Sequence, residues 1–136
     1  MRFLSRRLVM PNDLNYANAL FGGRAVEWID EEAAIYAICQ LETNYLVTKH
    51  IGEISFESPA MQGDIVEFGL ETKKVGRTSI TVTCMVRNKV TKKTICVADD
   101  IVFVSLDAET RQPRPHGKTM DLLEIQTQQE ISRLVF

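Results

Sequence analysis

The residues best suited to chemistry fall in one stretch, NALFGGRAVEWIDEEAAIYA, residues 18–37. Asp30 sits on what reads as a helix apolar nearly all the way round. Val26, Ala33, Ala34 and Ala37 lie three, four or seven residues from it and share its face. No Lys, Arg or His occupies a position three or four residues away to neutralise it. A carboxylate among small apolar side chains is costly unless it finds donors or shifts its pKa upward. Two readings follow. Asp30 is a general base or nucleophile, or it accepts bonds from a neighbouring loop and is structural.

Gly22 and Gly23 open the same helix. A helix start presents free N–H groups and partial positive charge. Glycines there let an oxygen-bearing ligand approach closely, or simply allow tight packing. An oxyanion site with a positioned carboxylate suits attack on a carbonyl. Within one helix, however, Asp30 lies about 11 Å along the axis from Gly23. One small group cannot reach both unless it lies along the helix or a second chain supplies one of them.

The elements that must hold these residues read as follows. FLSRRLVM (3–10) is an edge strand and PNDLNYANALF (11–21) a loop rich in breakers. The helix spans Gly22 to Leu41. YLVTKHIGEISF (45–56) is one strand, and SPAMQGD (58–64) a turn built on Pro59 and Gly63-Asp64. IVEFGLETKKV (65–75), TSITVTCMVRN (78–88) and TICVADDIVFVSLD (94–107) are three more strands. Gly76-Arg77 and KVTKK (89–93) turn between them. A proline-bearing tail (108–118) precedes a terminal helix that runs to Phe136. The pattern is α+β, a curved antiparallel sheet around one long central helix. Residues 1–118 form a single domain and 119–136 a C-terminal helix or tail.

The 136 residues fit one domain, and the net charge of −2 gives no bulk field for nucleic acid. Cys39, Cys84 and Cys96 are far apart in apolar runs and read as reduced core residues of a cytoplasmic protein. The N-terminus has no apolar core of a leader, and no window spans a membrane. No cluster of His, Cys or Asp has metal-ligand spacing, no G-x-S-x-G marks a serine nucleophile, and FGGR lacks the rest of a phosphate-binding loop.

Three segments resemble hotdog-fold acyl-CoA thioesterases, nearest the YciA-type and brain acyl-CoA hydrolase branch. MPNDLNYANALFGGRAVEWIDEEAAIYA is similar to that family's opening, M-P-x-D-x-N-x-x-G-x-x-F-G-G followed by a helix Asp. ISFESPAMQGDIVEF resembles its strand-turn-strand, and KKVGRTSITVTCMV its K-V-G-R-[ST]-S loop. The resemblance covers about residues 8 to 106 and implies a sausage helix in a sheet bun. It implies dimers with sites at the dimer interface, often assembled as a trimer of dimers. It matches Asp30 to the catalytic acid and Gly22 and Gly23 to the helix start that polarises the thioester carbonyl. Gly76, Arg77, Thr78 and Ser79 match the loop that contacts coenzyme A. Asp30 and the oxyanion site then come from different chains. Coenzyme A is part of the substrate, and no separate cofactor is implied. Two positions depart from the pattern: Ala19 stands where the family carries Asn, Asp or Thr, and Asn18 where it carries Gly. Asn18 or Asn15 could compensate from one residue or one turn away.

Lys73, Lys74 and Arg77 beside small hydroxyls suit the phosphates of coenzyme A, or form a solvated hairpin turn. Arg111 or Arg114 would cover the nucleotide if the tail folds back. His50 reads as a structural strand residue and His116 as solvated tail. The function expected is an acyl-CoA thioester hydrolase. The alternatives are a non-catalytic acyl-CoA-binding protein, which Ala19 keeps open, and a hotdog hydratase or dehydratase, whose helix His is missing here.

Overall fold

The computed structural model describes residues 1–134. Strand β1 (Arg2–Leu8) leads through a single 3-10 turn (Pro11–Asp13) into helix α1 (Gly22–Leu41). Strands β2 (Leu46–Ile51), β3 (Ile54–Phe56), β4 (Ile65–Val75), β5 (Ser79–Asn88) and β6 (Thr94–Ser105) follow, then helix α2 (Met120–Leu134). The strands form one antiparallel sheet in the order β1-β4-β5-β6-β2, with β3 pairing further along β6. β1 forms one edge, and β2 and β3 together form the other.

The expected strand over 45–56 is two. β6 is long enough to pair β2 through Ile101–Ser105 and β3 through Cys96–Ala98. The ladder bulges between Thr48 and His50, and the Gly52 amide donates to the Asp100 carbonyl at 2.8 Å. This bend curves the sheet around α1. β1 also stops at Leu8 rather than 10, and β6 at Ser105 rather than 107.

The core lies between α1 and the concave face of the sheet. Ile29, Ala33 and Ala37 pack against Phe68, Ile80, Val82, Ile101 and Phe103, all at or near zero exposure. Trp28 meets Phe68 edge to face at 6.4 Å. Small alanines let the helix sit close to the sheet. Cys84 and Cys96 are buried as expected, and burial pushes their thiols up to about 12 and about 11. Cys39 is exposed, contrary to its core reading. The reason is coverage. The sheet covers one side of α1, so the stripe Glu27, Glu31, Ile35 and Cys39 faces outward in the single chain. Ile35 is 55% exposed there.

Candidate active site

α1 ends in two different ways. Its first turn carries no side-chain cap and no acid, and the N-cap is Phe21. The N–H groups of Gly22 and Gly23 therefore have no intrahelical acceptor, as in any helix start. Gly22 lines a cavity of about 410 Å³ together with Asn15, Ala19, Leu20, Ala25, Phe56 and Ala60, among others. At Gly22 a Cβ would meet only the Phe56 ring, at 3.6 Å, so this glycine keeps space open instead of avoiding a collision. At Gly23 a Cβ would lie 2.6 Å from the Phe21 ring, so a side chain there would displace the N-cap residue. The other end of α1 closes with Glu42 in the left-handed region, at φ 55°.

The loop before α1 is fixed by two side chains. Asp13 accepts from the Met10 amide at 2.9 Å and lies 3.4 Å from Arg24. Asn15 Oδ1 accepts from the amides of Ala17 and Ala19, at 2.9 and 3.1 Å. Asn15 thus lines the cavity, whereas Asn18 is an exposed turn residue with φ 62°. Of the two asparagines, Asn15 is the one beside the helix start.

Asp30 is half-buried midway along α1 and does have a donor. Thr48 Oγ1, on edge strand β2, donates to Asp30 Oδ1 at 2.8 Å. Its Oδ2 accepts no hydrogen bond among the described residues. Thr48 was not legible in the sequence: it is one of several strand threonines, 18 residues from Asp30. Eight residues of helix, about 12 Å, separate Asp30 from Gly22. One chain does not bring the acid and the helix start together on one small group.

The third group lies at the far end of the sheet. α1 begins beside Ala60, whose carbonyl accepts from the Leu20 amide, and ends beside Lys118, whose Nζ lies 3.1 Å from Glu42. The β4–β5 turn is at this second end. Gly76 allows it, because a Cβ there would run into Ser79 Oγ. Arg77 is exposed and joins no ion pair among the described residues; Thr78 and Ser79 are partly buried beside it. Lys74 is exposed and unpaired among them too. Lys73 is not available, since its Nζ lies 2.8 Å from Asp100 and 3.7 Å from Asp99. Arg114 lines a polar cavity of about 410 Å³ with Asn44, Tyr45, Ser105 and His116. Arg111 instead turns its guanidinium to the Tyr45 hydroxyl, at 3.2 Å. His116 is not solvated tail: it is half-buried and bonded to the turn. His50 is exposed on β2. No group of three metal-ligating side chains is found among the described residues.

Residues 17–95 match the family model described as the thioesterase superfamily. A curated relative from Haemophilus influenzae, called an uncharacterized acyl-CoA thioester hydrolase, is 32% identical over 127 residues. The match covers 87% of this chain and 82% of that one. The chain belongs to the thioesterase superfamily. Its fold is the hotdog. The hexameric thioesterase y2039 from Yersinia pestis superposes with a TM-score of 0.76 at 28% identity, over 84% of this chain and 93% of that one. A hexameric hotdog-fold thioesterase of Campylobacter jejuni gives 0.70 at 27% identity, over 89% and 92%. By family, this chain is a thioesterase. In this fold the three groups lie apart in one chain: an acid at mid-helix, the amides of the helix start, and a turn with an exposed arginine at the opposite end.

Proposed function

We propose that this thioesterase hydrolyses acyl-CoA, with each site shared between two chains. The observation that carries the reading is Asp30, whose carboxylate is held by one donor and keeps one oxygen free. The name of the Haemophilus influenzae relative supports the substrate class. Asp30 takes a proton from water, whose oxygen attacks the thioester carbonyl carbon, or its carboxylate attacks that carbon itself to give an anhydride that water then hydrolyses. The oxyanion that forms is held by the amides of Gly22 and Gly23 of a second chain. The C–S bond then breaks, the sulfur takes a proton, and free acid and coenzyme A leave. Arg77, Lys74 and Arg114 hold the phosphates of the nucleotide. Coenzyme A enters as substrate, and no resident cofactor or metal is needed.

The sheet topology supports the shared site. β2 is an edge strand whose middle residues, Val47 to His50, are all exposed, with backbone groups open on one side. A two-fold axis joining two β2 edges reverses the second chain. Its helix start then lies beside the first chain's β4–β5 turn. Ile35 of α1 and Val47 of β2, both exposed, would be covered in the pair. The assembly proposed is a trimer of dimers, in keeping with the hexameric Yersinia and Campylobacter proteins. The location proposed is cytoplasmic: all three cysteines are free, and no helix among the described residues is long and apolar enough to cross a membrane.

Thiol release from a panel of acyl-CoAs, read with a thiol reagent, tests the reaction. Release by the native chain but not by Asp30→Asn is expected. Binding of every acyl-CoA without release by the native chain would make it a binding protein instead. Arg77→Ala should raise KM and leave kcat nearly unchanged, a loss of ~1.5–3 kcal/mol for a charge-assisted contact. Light scattering at micromolar concentration should give a dimer or larger, and a fully active monomer would overturn the shared site.

A further inference from the structure

The tail that carries His116 is exposed almost throughout from Ala108 to Pro115, yet His116 itself is half-buried. Its amide donates to the Arg77 carbonyl at 3.3 Å. Its Nδ1 lies 3.0 Å from the Lys118 amide, and its Nε2 lies 3.0 Å from the Ser79 carbonyl. An amide can only donate, so Nδ1 must accept. The ring proton is therefore on Nε2, which donates to Ser79. The Thr78 carbonyl between them accepts from the Ser105 amide at 2.8 Å. Three consecutive carbonyls of the turn are thus held from outside it, that of Thr78 by the end of β6 and those of Arg77 and Ser79 by His116 of the tail.

The same segment is tied at both sides of His116. The Arg114 amide donates to the Ser105 carbonyl at 2.8 Å, and the Lys118 ammonium reaches Glu42 at the end of α1. The tail is a strap across the turn, not a free flap. It fixes the backbone of Arg77 while leaving the guanidinium exposed and, among the described residues, unpaired. A cation on an immobile backbone binds a phosphate without first ordering the loop that carries it.

We infer that His116 is a positioning residue for coenzyme A recognition, setting the Arg77 turn through its imidazole. The inference rests on the proposed role of that turn. It concerns binding of the nucleotide and not the chemistry at the thioester. Two substrates separate these: an acyl-CoA, and the same acyl group on N-acetylcysteamine, which has the thioester but no nucleotide.

The test compares His116→Asn, His116→Gln and Arg77→Ala with the native chain, each with its melting temperature measured. The Asn amide can satisfy the Lys118 N–H but is too short to reach Ser79. The Gln amide can reach Ser79. With acyl-CoA, His116→Asn should raise KM about fivefold or more with kcat within about twofold, the pattern of lost uniform binding. His116→Gln should restore most of that loss. With the N-acetylcysteamine thioester, kcat/KM should be native in all three variants. An unchanged acyl-CoA KM in His116→Asn, while Arg77→Ala raises it, would overturn the role of His116 and leave the turn's role standing. An unchanged KM in Arg77→Ala would overturn the turn's role itself. Equal losses on both substrates would make His116 a general structural residue and overturn the inference.

Discussion

Two carboxylates of α1, Asp30 and Glu32, are two residues apart and face opposite edges of the sheet. Glu32 faces β1. It is 9% exposed, and it accepts from Ser5 Oγ at 2.7 Å and from Arg7 Nη2 at 2.9 Å. The Arg7 guanidinium also reaches Glu31 at 2.8 Å and lies 5.4 Å from the Trp28 ring centroid. Asp30 faces β2, is more open, and among the described residues accepts from Thr48 alone. Glu32 has both oxygens occupied and serves to fasten β1 to the helix. Asp30 has an oxygen left over, beside a strand edge that has no partner in the chain. In the proposed mechanism, what sets Asp30 apart from Glu32 is unused acceptor capacity next to a surface that a second chain can close.

The largest effect that tests this contrast is expected from Asp30→Asn. The amide keeps the shape and removes both base and nucleophile. A general base is typically worth 10²–10⁴ in rate, so kcat should fall at least about a hundredfold. The melting temperature should hold or rise, because a sparsely compensated charge has been removed. Near-native kcat on a folded sample would mean that Asp30 is not the catalytic acid.

Glu32→Gln should do the reverse. Arg7 is part-exposed and keeps Glu31, so the loss of folding stability should be ~1–2 kcal/mol, between a surface pair and a buried one. The kcat per folded molecule should stay within about twofold of native. Urea unfolding with activity measured on the same samples checks it. A hundredfold fall in kcat with unchanged stability would erase the distinction between the two acids.

How much of this contrast could be read in advance follows from where the partners lie. α1 was legible to the residue, Gly22 to Leu41, because glycines open it and its apolar pattern is continuous. β4 was equally clear between two turn signals. Asp30 stood out because nothing within one helical turn could neutralise it. Its donor Thr48 and the strap residue His116 were not legible. Both meet partners that only the tertiary fold brings near, across 18 and 37 residues, and a threonine or histidine carries no mark of such a partner. The break at Gly52 was hidden for the same reason, since it is β6 that pairs with strands on both sides of it. Cys39 was misplaced because apolar character on a helix does not say whether sheet or a second chain covers it.

Thr48→Ala sharpens the contrast further. It removes one neutral-to-charged hydrogen bond, worth about 1.5–3 kcal/mol at most and less where the pair meets water. A fall in kcat of about three- to thirtyfold is expected, with little change in melting temperature. A large loss of stability with intact kcat would make the Thr48–Asp30 bond a fastening like that of Glu32.

The smallest effect concerns Glu67, a third acid and the most enclosed at 2% exposure. On the outer side it is surrounded by Arg87 at 2.7 Å, Lys92 at 3.2 Å and Arg6 at 3.7 Å. Burial pushes its carboxyl up, but the hydrogen bonds and charges of Arg87 and Lys92 outweigh that, and its pKa falls below the ordinary 4.5. A carboxyl with a depressed folded value stabilises the fold at pH above its unfolded value. That contribution is lost as pH falls through the depressed value. Glu67→Gln should therefore melt below the native chain at pH 7, and the gap should close as pH drops below about 4.5. Activity per folded molecule at pH 7 should not change, because Glu67, like Glu32, spends its acceptor capacity within the chain. A gap that stays constant with pH would mean that shape, not charge, is what Glu67 contributes.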